Sequence, residues 1–158
     1  MANTQSMCTS FMGELLTATH NFGTAPVRAS GAADTFKAAL FLTSATINAS
    51  TTAYSTSGEV SGTGYTAGGV AVTNATAPLA SNSSATAGVA YWTPSASITY
   101  TTVTLTTAFD CVLIYNSTQS DKAVSVHTFG SQTITAGTFT LTMPSNTTST
   151  ALLRLATT

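Results

Sequence analysis

Charged residues are scarce in this sequence. Only nine of its 158 residues are charged, four basic and five acidic, whereas soluble domains ordinarily contain roughly a quarter of them. The basic residues are scattered along the chain: Arg28, Lys37, Lys122 and Arg154. Nucleic-acid binding depends on clustered lysine and arginine. The composition therefore argues against a nucleic-acid partner.

Membrane and secretion segments are also missing. No stretch approaches the roughly 18 uninterrupted apolar residues of a membrane helix, and the first thirty residues lack a basic segment followed by an apolar one. We therefore expect synthesis and folding in a cytoplasm, with no membrane partner. Cys8 and Cys111 form no CxxC motif, and the apolar run around Cys111 favours a buried, reduced thiol over a disulfide.

Motifs for catalysis, cofactors and metals are equally rare. His20 and His127 are the only histidines, no G-x-S-x-G motif occurs, and the carboxylates are not paired with one another. Residues 62–67 formally match a dinucleotide-binding pattern, but polar residues precede them and a valine-rich run follows. That pattern requires a strand before it and a helix after it. We therefore predict no catalytic residue, no cofactor and no metal site, and expect that the protein is not an enzyme.

Hydroxyl side chains take the place of charge, since serine and threonine number 54. Threonine is β-branched and suits a pleated sheet. Together with short apolar runs about ten residues apart, this predicts a mainly β fold: an antiparallel β-sandwich or jelly-roll-like barrel of about seven to nine short strands. We expect two parts, a helix and arm over residues 1–33 and a single β-sandwich domain over 34–158.

Local patterns place the individual elements. Apolar residues at helical spacing predict one short amphipathic helix over Ser6 to His20, with the stripe Met7, Phe11, Met12, Leu15 and Leu16. Alternation predicts a strand with Phe36, Ala38, Leu40 and Leu42 on one face, and residues 43–58 and 75–88 are interpreted as loops. Further strands are predicted over 89–92, 97–107, 109–115, 123–129, 139–143 and 152–155. We expect a bulge near Thr102, a turn over 116–121 and another turn at Gly130.

The glycine-rich run from Glu59 to Gly69 carries a family resemblance. Its sequence, EVSGTGYTAGG, resembles a segment of small virion structural proteins of tailed bacteriophages. As in those proteins, an N-terminal helix and a strand similar to Phe36–Phe41 precede it. An apolar strand ending in tyrosine, matched by residues 112–117, and a Phe-Gly step at Phe129 follow it. The similarity extends in order over residues 6–155, with fewer acidic residues than the family often carries.

The resemblance implies a non-catalytic virion protein. The favoured role is a capsid decoration, or cement, protein on the capsid surface, with the major capsid protein and copies of itself as partners. The alternatives are a head–tail connector, tail or fibre component that possibly contacts host glycans, and a non-viral adhesion module. Candidate turn and interface residues are Gly62, Gly64, Tyr65, Gly68, Gly69, Phe11, Leu15 and Trp92. Trp92 is interpreted either as a stacking platform for a sugar or base, or as a core or interface residue.

Overall fold

A computed structural model describes residues 3–16, 19–22, 33–73, 78–81 and 88–156. This part of the chain contains one helix and eight strands. In chain order they are β1 (Ser6–Met7), α1 (Thr9–Leu16), β2 (Phe36–Leu42), β3 (Val70–Val72), β4 (Leu79–Ser81), β5 (Val89–Trp92), β6 (Ile98–Asn116), β7 (Lys122–Leu141) and β8 (Leu153–Ala156).

The strands form two antiparallel sheets. The larger sheet has the order β1-β7-β6-β2-β3, and the smaller has the order β4-β5-β8. Both contribute to one hydrophobic core, the smaller sheet through Trp92 and Leu153. The predicted mainly β, sandwich-like fold with one short N-terminal helix is confirmed.

A long hairpin of β6 and β7 dominates the larger sheet. Each strand unites two segments that the sequence pattern separates, and the two strands contain 19 and 20 residues, so these two strands are not short. The predicted turn lies between them, and the predicted bulge lies at Thr102, where φ is +53° and the register shifts. The turn predicted at Gly130 is wrong, because β7 continues through that residue.

Strand β2 is buried on both faces. Ala39 and Phe41 are as inaccessible as Phe36, Ala38 and Leu40, so the face opposite the one that the alternation marks is buried as well. The reason is tertiary: the segment after β2, interpreted as a loop with little core content, returns over the second face. Tyr54 of that segment contacts the ring of Phe41 at 6.5 Å between centroids, and Ala45 and Ile47 are buried.

The N-terminal segment joins the same core. Helix α1 contains eight residues rather than the predicted fifteen, since β1 precedes it and pairs with Val126 and Ser125 of β7. Cys8 and Phe11 are buried, and Leu15 packs against the core. Gly23 and Pro26, which we expect to end the helix, lie outside the described residues. Within the predicted loop 75–88, the described part includes strand β4.

Candidate functional site

The glycine-rich segment folds around the carboxylate of its own first residue. Glu59 Oε1 accepts hydrogen bonds from the Tyr65 hydroxyl at 2.7 Å and the Gly68 backbone N–H at 2.8 Å. Its Oε2 accepts from the Tyr54 hydroxyl at 2.6 Å. Burial, reinforced by the hydrogen bond to Glu59, raises the pKa values of both Tyr54 and Tyr65 above the ordinary value of tyrosine. Both phenols therefore remain protonated donors, and the carboxylate organises the loop.

Close backbone contacts explain why glycine occupies this segment. Gly64, Gly68 and Gly69 have positive φ, a conformation that side chains with a Cβ rarely adopt. A Cβ atom on Gly69 would lie 1.7 Å from the Ala38 carbonyl oxygen, and one on Gly62 would lie 2.0 Å from that of Thr104. The segment thus packs directly on β2 and β6. A strand, β3, follows it, so the structural context of a dinucleotide site is missing here.

Tyr65 connects this segment to the sheet. Its hydroxyl oxygen accepts a hydrogen bond from the Leu40 N–H at 3.0 Å, and its ring stacks on Tyr100 at 5.9 Å. Tyr115 donates to the Gly68 carbonyl at 2.8 Å, and burial, with the nearby Asp121 and Glu59 charges, raises the pKa of Tyr115 to about 12. These contacts assign the candidate residues 62–69 a structural role in covering the sheet.

A second polar cluster links the N-terminal segment to the β6–β7 turn. Glu14 on α1 pairs with Lys122 at 2.6 Å and with His20 Nε2 at 2.6 Å. The other ring nitrogen of His20, Nδ1, lies 3.1 Å from Asn116 Nδ2, which also donates to Asp34 at 2.8 Å. The cluster joins four separate parts of the chain.

Hydrogen-bond directions in this cluster define a neutral histidine. Asn116 Oδ1 accepts from the backbone N–H groups of Thr118 and Gln119, so its Nδ2 is the donor toward His20 Nδ1. His20 Nε2 then donates to Glu14. Burial lowers the pKa of His20 despite the opposing effect of Glu14. The structure therefore places a buried, neutral imidazole ring beside the Glu14 carboxylate.

The Glu14–His20 pair superficially resembles part of a catalytic triad. A triad needs a nucleophile on the second ring nitrogen, and here that nitrogen faces the amide of Asn116. Nearby Cys8 is fully buried, and burial together with Glu14 raises its thiol pKa to about 11. Cys111 is likewise buried and free, with its pKa raised to about 12 by burial and the Asp110 charge. Neither thiol is activated in this environment.

The remaining histidine, His127, has no group of metal ligands around it among the described residues. His127 Nε2 lies 2.9 Å from the Ser125 hydroxyl, and burial lowers the pKa of its ring to about 4. Within the described residues, no three His, Cys, Asp or Glu side chains come together in a way that could hold a metal ion. Among these residues no helix is long and apolar enough to cross a membrane.

Three of the candidate interface residues meet at one apolar cleft between α1 and the smaller sheet. Phe11, Leu15 and Trp92 line it together with Phe22, Tyr91 and Leu155. Its free volume of about 90 Å³ is well below the roughly 300–1,000 Å³ of typical ligand pockets. Trp92 is buried against Phe22 at 4.8 Å between ring centroids. It is therefore a core residue rather than an exposed stacking platform.

A larger cleft lies beneath the segment that follows β2. It has a volume of about 440 Å³, and its lining consists of small hydroxyl and apolar side chains, including Ser44, Ile47 and Ser57. No titratable group is among the residues that line it. This cleft offers hydrogen-bonding and apolar contacts.

A long stretch of the described surface carries no charged side chain. No charged residue occurs between Lys122 and Arg154, and most of the second half of β7 is exposed. Met12, Leu79 and Leu155 are large apolar side chains that are also exposed. The described surface is therefore suited to contacts by shape, hydroxyl hydrogen bonds and apolar side chains rather than by charge.

Comparison of the chain with protein-family models, with curated proteins and with solved structures finds no match.

Proposed function

We propose that this chain is a virion structural protein of a tailed bacteriophage, and specifically a capsid decoration protein that stabilises the mature head through non-covalent contacts. The observation that carries the proposal is the hydroxyl-rich surface of β6 over residues 98–109 and of β7 over residues 123–141, which contain no Asp, Glu, Lys or Arg. Such a surface is unusual for a freely diffusing domain, which normally relies on charge for solubility. It is suited to a protein that spends its working life against other subunits.

The proposed mechanism is linkage between binding and lattice stability. A protein that binds the assembled shell but not its separated subunits lowers the free energy of the shell and leaves that of the subunits unchanged. The major capsid protein and further copies of this chain are the proposed partners. Because few charges are available at the surface, attraction at long range is weak, and the affinity should depend little on salt.

The titratable groups support a non-catalytic role. Glu14, Asp34 and Glu59 accept hydrogen bonds that connect separate segments, and Lys122 is paired with Glu14. The two thiols are buried and the two histidines have lowered pKa values. Each of these groups has a structural partner or an environment that suppresses its reactivity, so we propose that the protein performs no reaction.

Copy number in purified particles tests the proposed location. A decoration protein should approach the abundance of the major shell protein, whereas a connector, tail or fibre component should be far scarcer. Quantitative mass spectrometry of intact heads, tails and whole particles measures this ratio. Scarcity, or recovery with the tail fraction, would refute the decoration role and favour the tail alternative. Absence from particles would refute a virion role altogether.

Rebinding tests the proposed mechanism. Heads from phage lacking this gene product should be less heat-stable, and purified protein should restore their stability on addition. Binding measured by co-sedimentation should change by less than about threefold between low and high salt, because few ion pairs can form. A steep loss of binding with salt would contradict an uncharged interface.

A further inference from the structure

A third cleft lies where the edges of the two sheets approach each other. One wall is formed by β1 with residues 125–127 of β7, and the facing wall is formed by residues 151–154 at the start of β8. Strands β1 and β8 are the edge strands of their sheets. The cleft has a volume of about 290 Å³, close to the lower limit of roughly 300 Å³ for typical ligand pockets. It is therefore large enough for a small organic molecule.

One basic side chain lines this cleft without an acidic neighbour. Arg154 is exposed on β8, and the described residues of the lining include no Asp or Glu. Arg154 takes no part in the ion pairs of the described chain, which join Glu14 to Lys122 and to His20. A guanidinium group holds its N–H donors in a planar fork that matches the two oxygens of a carboxylate. The cleft therefore presents a positive charge to an anion from outside.

Ser125 and His127 add a neutral hydrogen-bond donor to the same cleft. The two residues are two positions apart on β7, so their side chains project to the same side of the strand. Ser125 Oγ lies 2.9 Å from His127 Nε2. A neutral imidazole and a hydroxyl each carry one polar hydrogen, and the bond between them uses only one. Within the described chain neither side chain forms a further hydrogen bond, so one N–H or O–H remains for a ligand, whichever ring nitrogen carries the proton.

Apolar side chains complete the lining. Met7 is paired with Ser125 across β1 and β7, and directly opposed residues project to the same face of a sheet. Ala151, Leu152 and Leu153 belong to the facing wall. The cleft thus combines one guanidinium, one neutral donor and a short hydrocarbon wall. This combination is suited to an anion that carries a small apolar group.

We propose that this cleft binds a short-chain monocarboxylate. The carboxylate pairs with Arg154 and accepts the remaining hydrogen of the Ser125–His127 pair, while the hydrocarbon chain lies against Met7 and Leu152. Burial keeps His127 neutral, with its pKa lowered to about 4, and Arg154 is the other titratable group among the described lining residues. A bound carboxylate brings a negative charge close to the ring, which raises the pKa of His127. The histidine therefore reports occupancy of the cleft.

Titration with butyrate, followed by NMR, tests the ligand class. The ring resonances of His127, assigned by their loss in His127→Gln, should shift saturably in the millimolar range at near-neutral pH. Saturating butyrate should raise the pKa of His127 by about one unit or more. Butyramide has the same shape without the charge, and it should bind at least about tenfold more weakly. No saturable shift with butyrate, equally tight binding of butyramide, or binding of inorganic phosphate but not butyrate would overturn the proposal.

Two matched variants test the role of the guanidinium. Arg154→Gln should weaken butyrate binding at least about tenfold, and it should melt like the wild type because Arg154 is exposed. Arg154→Lys keeps the charge but loses the planar fork, so its affinity should lie between the two. The control is Lys37→Gln, which removes the same charge from β2, outside the described lining of the cleft. Unchanged binding by Arg154→Gln, or an equal loss in Lys37→Gln, would show that Arg154 does not hold the carboxylate.

This site is independent of the proposed virion role. Carboxylate binding is measured on the isolated protein, and copy number is measured in particles. Binding without incorporation would refute the virion proposal alone, and incorporation of a protein that does not bind butyrate would refute the carboxylate site alone.

Discussion

Removal of the Glu59 carboxylate should destabilise the fold substantially. In the structure three donors meet it: the Tyr54 and Tyr65 hydroxyls and the Gly68 N–H, at 2.6 to 2.8 Å. A hydrogen bond to a charged group contributes about 1.5–3 kcal/mol. Tyr54 and Tyr65 are only partly buried, so water replaces part of that contribution, and we expect Glu59→Ala to cost about 3–5 kcal/mol in unfolding free energy.

Glu59→Gln separates the charge of this residue from its shape. Glutamine keeps one acceptor oxygen for Gly68 and Tyr65, while its amide group faces Tyr54, whose hydroxyl can rotate to accept. We therefore expect a smaller cost, about 1–2 kcal/mol. The matched control is Asp121→Asn, because the Asp121 carboxylate makes no hydrogen bond within the described chain and the position tolerates asparagine at φ of +56°. That change should cost less than about 0.5 kcal/mol.

Chemical denaturation and calorimetry measure these differences. For a chain of this size, each kcal/mol shifts the melting temperature by about 2–4 °C, so Glu59→Ala should melt about 10 °C below the wild type. The order wild type, Asp121→Asn, Glu59→Gln, Glu59→Ala is the critical result. If Glu59→Ala is no less stable than Asp121→Asn, the carboxylate does not organise the glycine-rich segment and that part of the reasoning is wrong.

Three further predictions concern the core and the titratable groups. Gly69→Ala should lower the melting temperature more than Gly130→Ala does. A Cβ at Gly69 would lie 1.7 Å from the Ala38 carbonyl oxygen, whereas one at Gly130 would meet nothing within 4 Å. Equal melting temperatures would contradict the close approach at Gly69. Phe11→Ala should lower the unfolding free energy by about 3–5 kcal/mol in urea titrations. Met12→Ala, at an exposed position, should lower it by less than about 1 kcal/mol. Similar losses for the two variants would show that α1 is not part of the core. The pKa of His127 is lowered to about 4 from an unfolded value near 6.5. The unfolded chain therefore binds the proton first, and stability should fall by up to about 3 kcal/mol as pH drops from 6.5 toward 4; a His127→Gln variant with the same pH dependence would refute this origin.

Local sequence patterns predict a strand well where one of its faces is packed and the other faces solvent. The alternation over residues 97–107 and 123–129 places β6 and β7, and the slip at Thr102 corresponds to a bulge. The same patterns do not predict that each strand continues into the next segment. Gly130 resembles a turn residue in sequence, yet a Cβ there would contact nothing within 4 Å, so the residue fits an exposed strand as well as a turn.

The polar clusters are much harder to predict. Glu59 and Tyr65 are only six residues apart in the glycine-rich run. This short separation is a local signal that the two side chains can meet. The cluster of Glu14, His20, Asn116 and Lys122 has no such signal, because up to 108 positions separate its members. Only folding brings α1 to the β6–β7 turn, and only then does burial of His20 favour the neutral ring.

The amino-acid sequence by itself determined the mainly β composition, the glycines with positive φ and the shortage of charge, because these depend on residue type and on near neighbours. Tertiary structure alone decided that Phe11 and Trp92 are buried and that β2 is covered on both faces. Those outcomes depend on which distant segments meet, and the free energy of such contacts is not encoded in any one stretch of the chain.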